Sequence, residues 1–242
     1  MRYRTSMVLV LALLGTSIAR AETPVAPAPA VGPFLTASSV DWKTILPPPV
    51  SKDSPEQAAE LNLIVAVQKS ASPEALAEAK EQIKKMDVNT FADIIGPWFD
   101  AKQLPKTEAL FHEIEAESKK MVTGPAKKYF GRVRPADSDK RVKGYEAEEE
   151  CSYPSGHSTR GTMDAYVLGA LFPELKDKLI ARGQQVGFNR IIVGAHYPSD
   201  LVAGRVIGKA IADHLLADAA FQKALAECRE EIAAARTHGR GM

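Results

Sequence analysis

The sequence predicts an all-α fold, a single-domain helical bundle that carries its functional side chains at helix ends and in the loops between helices. Hydrophobic residues recur at helical spacing through most of the 242 residues, and Ser-Pro-Glu, a pattern typical of a helix start, occurs twice. Alternating or β-branched runs bounded by turns are almost absent, so strands are at most minor. With 45% hydrophobic and 25% charged residues, the composition is that of an ordinary soluble domain.

The N-terminal residues are typical of a secretory signal peptide. Arg2 and Arg4 precede an apolar run over residues 7–14, and a small-x-small triplet that ends at Ala21 follows. The apolar run is far shorter than the roughly 20 residues that span a membrane. We therefore expect residues 1–21 to be cleaved, the protein to be periplasmic or secreted, and no membrane anchoring to remain after leader cleavage.

The folded domain is predicted to cover residues 34–242, after a flexible Pro/Ala-rich segment at 22–33. Its first long helix is expected over 56–69, because Ser54 supplies an N-cap and Pro55 suits the first helical turn. The second Ser-Pro-Glu opens the next helix at about residue 73. The spacing of apolar residues predicts the later helices over 89–98, 107–130, 158–171, 174–193, 199–216 and 219–235.

The charge balance gives no indication of a nucleic-acid partner. The 31 Lys and Arg residues are scattered among 30 Asp and Glu residues, and three of the basic residues lie in the leader. Binding a polyanion requires a concentrated basic surface. We therefore expect no nucleic-acid partner.

Cys151 and Cys228 are the two cysteines of the chain. In an oxidising compartment they could form one disulfide or remain two unrelated thiols, and the sequence leaves both interpretations open. Their spacing, without a His-x3-His or Glu-x2-His pair, does not suit a zinc site. We expect neither a metal nor another cofactor.

The first of three chemically unusual segments is residues 127–135, which read Lys-Lys-Tyr-Phe-Gly-Arg-Val-Arg-Pro. Lys127 and Arg134 are seven residues apart, so we expect them on one helix face, with Pro135 ending the helix. The pair would then direct an ammonium and a guanidinium at one point. Taken alone, the segment is more typical of a solvated basic helix end.

The second segment, residues 152–158, reads Ser-Tyr-Pro-Ser-Gly-His-Ser and precedes a helical pattern. Ser155 and Gly156 would present a hydroxyl and backbone N–H groups at a helix N-terminus, where an anion is favoured. Taken alone, the segment is equally typical of an ordinary turn and cap, and a single histidine such as His157 is more often structural than catalytic.

The third segment, residues 189–200, contains Arg190, His196 and Asp200. The guanidinium of Arg190 can donate bidentate hydrogen bonds to phosphate oxygens. Asp200 lies four residues after the histidine, at the start of the next helix, where its carboxylate can accept the proton on Nδ1. The Nε2 lone pair of His196 would then be available for nucleophilic attack.

Together, Lys-x6-Arg-Pro, Pro-Ser-Gly-His and Arg-x5-His-x3-Asp, in this order, resemble the signature of the type 2 phosphatidic acid phosphatase and vanadium haloperoxidase superfamily. Within that superfamily, Leu-Pro-Pro-Pro at 46–49 and Ser-Tyr-Pro-Ser-Gly-His at 152–157 make the chain most similar to the class A bacterial non-specific acid phosphatases. The motifs extend over residues 127–200, with weaker similarity from about 41 to 208.

The resemblance assigns roles to the matching positions. His196 would be the nucleophile, Asp200 would orient it, and His157 would protonate the leaving alcohol. The family has Ser before the arginine of the third motif, whereas this chain has Asn189, whose amide could still donate to a phosphate oxygen. The residues implied to bind phosphate are Lys127, Arg134, Ser155, Gly156 and Arg190.

The activity implied by the resemblance is that of a metal-independent acid phosphatase, which hydrolyses small phosphomonoesters with broad specificity through a phosphohistidine. Vanadate should inhibit such an enzyme and EDTA should not, and transfer of the phosphoryl group to an alcohol is a side activity open to any phosphoenzyme. Two histidines in different protonation states predict a bell-shaped pH profile with an optimum between about pH 4.5 and 7. A homodimer is suggested by the family similarity alone.

Three other functions share the same anion-binding motifs. A lipid phosphate phosphatase is disfavoured because no apolar segment after the leader is long enough to span a membrane. A vanadium haloperoxidase is disfavoured by the short chain, and a non-catalytic phosphate-binding protein would not need both His157 and His196. The acidic run at 146–150 is expected to be a solvated loop, with a substrate-selecting rim as the alternative.

Overall fold

The computed structural model describes residues 34–146 and 150–239, and within these ranges every regular element is helical. The prediction of an all-α fold is confirmed. The predicted leader and the Pro/Ala-rich segment lie outside the described residues.

The described part of the chain contains eleven α-helices. A π-helical turn, Lys119–Thr123, joins α5 to α6, and short 3-10 segments cover Val88–Phe91 and Pro173–Leu175. The helices are α1 (Trp42–Ile45), α2 (Pro55–Ser70), α3 (Pro73–Lys84), α4 (Ala92–Ile95), α5 (Pro105–Ser118), α6 (Gly124–Phe130), α7 (Pro135–Ser138), α8 (Gly156–Leu171), α9 (Lys176–Ile192), α10 (Pro198–Ala217) and α11 (Ala219–Gly239).

The two Ser-Pro-Glu patterns start helices for the predicted reason. The Ser54 hydroxyl accepts the backbone N–H of Gln57 at 3.1 Å, and the Ser72 hydroxyl accepts that of Ala75 at 3.2 Å. Each serine therefore satisfies one of the N–H groups that a first helical turn leaves without an intrahelical acceptor.

Two predicted helices are interrupted. The helix expected over 89–98 consists of a 3-10 turn and the short α4, because Gly96 adopts a φ of 129° that ends the helix. The helix expected over 107–130 contains the π turn just before Pro125, which has no backbone N–H to continue the α-helical pattern.

Helices α8, α9 and α10 pack together with their backbones almost in contact. A Cβ atom on Gly183 of α9 would lie 2.2 Å from the carbonyl oxygen of Gly161 on α8. A Cβ on Gly208 of α10 would lie 2.4 Å from the carbonyl oxygen of Thr159. Glycine is therefore required at these crossings. The packing brings the start of α8, the end of α9 and the start of α10 to one end of the bundle, where the three motifs lie.

The main core lies beside these helices and contains most of the aromatic residues. Phe91 and Phe111 are 1% exposed, and the half-buried Trp98 packs against the same cluster.

Both cysteines are free thiols. Cys228 is buried in this core, where burial raises its pKa to about 11, and Cys151 lies in the loop before α8. No helix among the described residues is long and apolar enough to cross a membrane.

Candidate active site

A cleft of about 170 Å³ lies at the end of the bundle where the three motifs meet. Four of the eight predicted site residues line it, at least one from each motif. These four residues are Lys127, Gly156, His157 and His196. The remaining lining residues are Met86, Glu115, Ser118, Lys119, Thr123, Glu150 and Arg160.

The first motif reaches the cleft by a turn, not along one helix face. Lys127 is in the last turn of α6, but the helix ends at Phe130 because Gly131 adopts the left-handed conformation, with a φ of 62°. Arg134 follows in extended conformation and precedes α7. The prediction that the two cations share a helix face is therefore wrong, although both arrive at the site.

Arg134 and Lys127 are anchored by backbone carbonyls. Arg134 donates from Nε to the carbonyl oxygen of Glu150 at 2.8 Å and from Nη1 to that of Ala195 at 2.9 Å. Lys127 donates from Nζ to the carbonyl oxygen of Cys151 at 2.6 Å. Both side chains are buried, so their charges act through a medium that screens poorly.

The second motif forms the start of α8 as the sequence predicts. The buried Ser155 is the N-cap, and its hydroxyl accepts the backbone N–H of Ser158 at 3.3 Å. Its own backbone N–H donates to the carbonyl oxygen of Asp200 at 3.0 Å, which ties the second motif to the third. Gly156 is the first residue of the helix, and apart from its chain neighbours and the backbone of its own helix, no described atom lies within 4 Å of where its Cβ would be. Its missing side chain therefore leaves room in the cleft.

His157 is the half-buried residue after Gly156. Its Nε2 lies 3.2 Å from the carbonyl oxygen of Gln82, at the end of α3. A carbonyl oxygen can only accept a hydrogen bond, so Nε2 carries a proton in this contact.

His196 is 2% exposed and is held from both sides of its ring. Its Nδ1 lies 3.3 Å from Oδ2 of Asp200, and Nη1 of Arg134 lies 3.4 Å from its Nε2. Because a guanidinium has no acceptor, this second contact requires a lone pair on Nε2. The neighbours of His196 thus favour the tautomer with the proton on Nδ1, which leaves Nε2 nucleophilic.

Burial, together with the charges of Lys127 and Arg134, lowers the pKa of His196 well below its ordinary value, despite the opposing effect of Asp200. Burial, and then the charge of Arg134, lowers the pKa of Arg190 to about 9. The imidazole is therefore neutral and the guanidinium charged in mildly acidic solution, which suits a nucleophile beside an anion-binding group.

Asp200 has more partners than the sequence predicts. Its carboxylate accepts the Ser152 hydroxyl at 2.5 Å, the backbone N–H of Tyr197 at 2.9 Å, and Nη1 of Arg132 at 2.5 Å. Burial alone raises the pKa of Asp200, but the hydrogen bond from His196 and the charge of Arg132 lower it overall. Arg132 and Ser152 lie inside the first and second motif segments, but the motif spacing alone gives no indication of their contacts with Asp200.

The side-chain amide of Asn189 contacts Gln82 and Gln185, neither of which lines the cleft. The buried side chain donates from Nδ2 to Oε1 of Gln82 at 2.9 Å, and its Oδ1 accepts Nε2 of Gln185 at 2.8 Å. The suggestion that this amide donates to a phosphate oxygen is thus corrected. Asn189 instead holds the end of α3, whose Gln82 carbonyl contacts His157.

The ends of the acidic segment contact cations of the site. Glu146 forms an ion pair with Arg190, which is 0% exposed, and Glu150 lies 3.1 Å from Nζ of Lys119. Residues 147–149 lie outside the described residues. The expectation of a fully solvated loop is therefore wrong for Glu146, whose carboxylate approaches a predicted phosphate ligand.

No set of three or more His, Cys, Asp or Glu side chains within residues 34–146 and 150–239 is arranged to hold a metal ion. The carboxylates described above are instead paired with cations: Asp200 with Arg132, and Glu146 with Arg190.

Comparison with known proteins gives consistent results. The PAP2 superfamily matches residues 118–221, which include all three motifs. The chain is 31% identical over 235 residues to a non-specific acid phosphatase of Salmonella typhimurium, a match that covers 93% of this chain and 91% of the relative. It is 32% identical over 206 residues to that of Salmonella typhi, covering 80% and 81%.

A similar fold occurs in a solved structure of a transmembrane PAP2-type phosphatidylglycerolphosphate phosphatase from Bacillus subtilis. The TM-score is 0.50 at 16% sequence identity, and the match covers 67% of this chain and 85% of that chain. At this identity the likeness concerns the helical fold alone.

Proposed function

The chain belongs to the class A non-specific acid phosphatases of the PAP2 superfamily, and from that premise we propose that it hydrolyses small phosphomonoesters through a phosphohistidine formed on His196. The observation that carries this proposal is the arrangement of that imidazole between Asp200 on Nδ1 and Arg134 on Nε2. Such a ring has one nucleophilic atom, and that atom is next to a cationic group that can bind the substrate phosphate.

In the first step, Nε2 of His196 attacks phosphorus in line with the leaving oxygen. The P–N bond forms as the P–O bond breaks, and His157 transfers a proton to the departing alkoxide. Lys127, Arg134 and Arg190, with the backbone N–H groups at the start of α8, would stabilise the charge on the equatorial oxygens.

In the second step, water attacks the phosphohistidine. His157, now neutral, accepts a proton from the water, the P–O bond forms and the P–N bond breaks, and the electron pair returns to Nε2 of His196. The products are inorganic phosphate and the regenerated imidazole. An alcohol in place of water would give a new phosphomonoester, so we expect a phosphotransferase side activity when an acceptor is abundant.

The pH profile of this mechanism is bell-shaped. On the acid side, activity falls when the His196–Asp200 pair becomes protonated, and the lowered pKa of His196 moves that limb below its ordinary position near pH 6.5. On the basic side, activity falls when His157 loses the proton it must donate. A profile that still rises at about pH 9 would contradict this assignment.

The roles of the eight site residues, metal independence and export to the periplasm or beyond are part of the same proposal. The leader pattern at residues 1–21 supports export. The cationic groups at the cleft support a reaction in which side chains, not a metal, stabilise the phosphoryl oxygens. A homodimer stays a prediction from the family resemblance.

The test is a kinetic and trapping experiment on the mature protein with an aryl phosphate substrate. The enzyme is mixed with ³²P-labelled substrate and quenched in alkaline denaturant, because the P–N bond of phosphohistidine hydrolyses in acid. We expect label on the wild type, none on His196→Ala, and label on the matched control His112→Ala, which removes an exposed histidine outside the motifs.

The activity of the wild type is also measured in the presence of EDTA and of vanadate. Turnover should persist in EDTA and be inhibited by vanadate, which imitates five-coordinate phosphorus. Full activity of His196→Ala would refute the proposed nucleophile, and loss of activity in EDTA would indicate a metal enzyme instead.

A further inference from the structure

The two oxygens of the Asp200 carboxylate have different partners. Oδ2 accepts the Ser152 hydroxyl at 2.5 Å and the Tyr197 N–H at 2.9 Å, and it lies 3.3 Å from Nδ1 of His196. Oδ1 receives a single charged donor, Nη1 of Arg132, at 2.5 Å. Arg132 is thus the charged group that holds the carboxylate at the oxygen facing away from the imidazole, and it orients Asp200 together with the two donors at Oδ2.

Arg132 is itself held rigidly, and Glu60 of α2 is the residue that holds it. Nη2 of Arg132 lies 2.6 Å from Oε2 of Glu60, and its guanidinium stacks 3.8 Å from the centre of the Tyr197 ring. Nη1 also donates to the Ser199 hydroxyl at 2.8 Å. The second carboxylate oxygen of Glu60 accepts the backbone N–H of Ser199 at 2.7 Å. Glu60 therefore fixes both Arg132 and the first turn of α10, where Asp200 lies.

This buried network is separate from the surface that would contact substrate. Lys127 of the same segment lines the cleft, whereas Arg132 and Glu60 are not among its lining residues. The Arg132 side chain is 4% exposed and that of Glu60 is 12% exposed. Buried ion pairs are costly to desolvate and contribute little net stability, so a network in this position calls for a reason other than stability.

We propose that Arg132 and Glu60 are positioning residues for the nucleophile His196. They act through Asp200 and touch neither the phosphate nor the leaving group. The inference rests on the proposed phosphohistidine mechanism and adds two residues, one from a helix far from the motifs in sequence, to its machinery.

The charges of the network suit the reaction. Phosphorylation turns the neutral imidazole of His196 into a cation, and the carboxylate of Asp200 balances that charge. Arg132 places a positive charge on the other side of the carboxylate, and Glu60 partly offsets it. Removing Arg132 should make the His196–Asp200 pair easier to protonate, whereas neutralising Glu60 should make it harder.

The other ionisable groups around the His196–Asp200 pair are the same in every variant. Tyr153 and Tyr197 interact electrostatically with Asp200, and burial raises the pKa of Tyr153 to about 12, so the phenol stays neutral in acid. Lys127 and Arg134 supply the other positive charges that act on His196, and neither residue is changed in any variant. A shift of the acid limb between variants therefore reports how Arg132 and Glu60 affect protonation of the His196–Asp200 pair.

The experiment compares Arg132→Gln, Arg132→Lys and Glu60→Gln with the wild type, using Arg141→Gln as the matched control. Arg141 is an exposed arginine that also pairs with an aspartate, Asp139. For each variant, kcat and KM for an aryl phosphate, Ki for inorganic phosphate and the alkaline-quench label are measured across the acid range. Thermal unfolding is recorded for each variant.

We expect Arg132→Gln to lower kcat by about 10- to 100-fold while KM and Ki stay within about threefold, because the phosphate ligands are untouched. Its acid limb should move to higher pH by about one unit, and that of Glu60→Gln should move to lower pH by about half a unit. Arg132→Lys should restore the position of the limb, because it keeps the charge, but only part of kcat. Arg141→Gln should match the wild type.

Opposite shifts of the acid limb support the proposal, because a purely structural role would lower activity without moving the limb in two directions. Unshifted limbs in a labelled, folded enzyme would overturn the positioning role and leave the phosphohistidine mechanism intact. A wild type that carries no label would overturn the mechanism itself. If Arg132→Gln does not fold, the downward shift in Glu60→Gln decides the question alone.

Discussion

Gly156→Ala should separate the stability of the protein from its activity. Gly156 is the first residue of α8, and its backbone conformation is one that alanine adopts. Apart from its chain neighbours and the backbone of α8, no described atom lies within 4 Å of the new Cβ. The methyl group would instead project into a cleft of about 170 Å³ that Gly156 lines. The same substitution should therefore be harmless to the fold and harmful to the reaction.

The expected magnitudes follow from these contacts. Alanine is favoured over glycine by at most about 1 kcal/mol in a helix, and less in the first turn, so Tm should change by roughly 0 to +3 °C in a chain of this size. A phosphoryl group displaced by one methyl group loses alignment with Nε2 of His196, for which we expect kcat/KM to fall by about 10- to 100-fold.

The assay is thermal unfolding combined with kinetics on an aryl phosphate, and Gly183→Ala is the matched control. A Cβ on Gly183 would lie 2.2 Å from the carbonyl oxygen of Gly161, so that variant should lose stability first. If Gly156→Ala melted more than about 5 °C below the wild type, its Cβ would meet protein after all. If it retained full kcat/KM, the space beside Gly156 would not be where the phosphate binds.

Three further substitutions test the electrostatics of the site and the core. Asp200→Asn should lower kcat by about 10³- to 10⁴-fold, as for the orienting carboxylate of a catalytic triad, because an amide N–H facing Nδ1 of His196 favours the wrong tautomer; a loss below about tenfold would refute that role. Glu146→Gln should tighten binding of inorganic phosphate by up to about tenfold in a competition assay, because its carboxylate no longer competes for Arg190; an unchanged Ki would contradict this. Burial raises the pKa of Asp164 to about 7 despite the charge of Arg160, so the native state keeps a proton that the unfolded chain releases, and stability falls as pH rises from about 4 through 7. Chemical denaturation of Asp164→Asn across this range should show up to about 4 kcal/mol less of that loss, and an unchanged pH dependence would exclude burial as its cause.

The positions of the helix starts could be predicted because their causes are local. A serine hydroxyl accepts an N–H group three residues later, and Pro suits the first turn wherever the rest of the chain lies, as Ser54 and Ser72 illustrate. Interruptions within helices are harder to predict from the sequence. Gly96 and Pro125 are visible in the sequence, but whether a helix stops, bulges or continues at such residues depends on packing.

The directions of side chains in the site depended on contacts that are distant in sequence. Arg134 reaches His196 from the extended segment that follows Gly131, the left-handed residue that ends α6, whereas periodicity alone predicts that it shares a helix face with Lys127. Asn189 bonds to Gln82, which is 107 residues away in sequence. No spacing rule relates such positions, because the backbone conformation of several intervening loops sets their separation.

By itself, the sequence determined the class of fold, the family and the order of the reacting groups, since periodicity, caps and motif spacing are properties of short stretches of chain. Tertiary structure alone decided which atoms meet. It brought Arg132, held by Glu60, to the carboxylate of Asp200, and Glu146 to Arg190. It also brought the ends of α8, α9 and α10, which pack closely at glycine residues, to one cleft. The physical reason is that burial, charge and hydrogen bonding act over a few ångströms in space, whatever the separation along the chain.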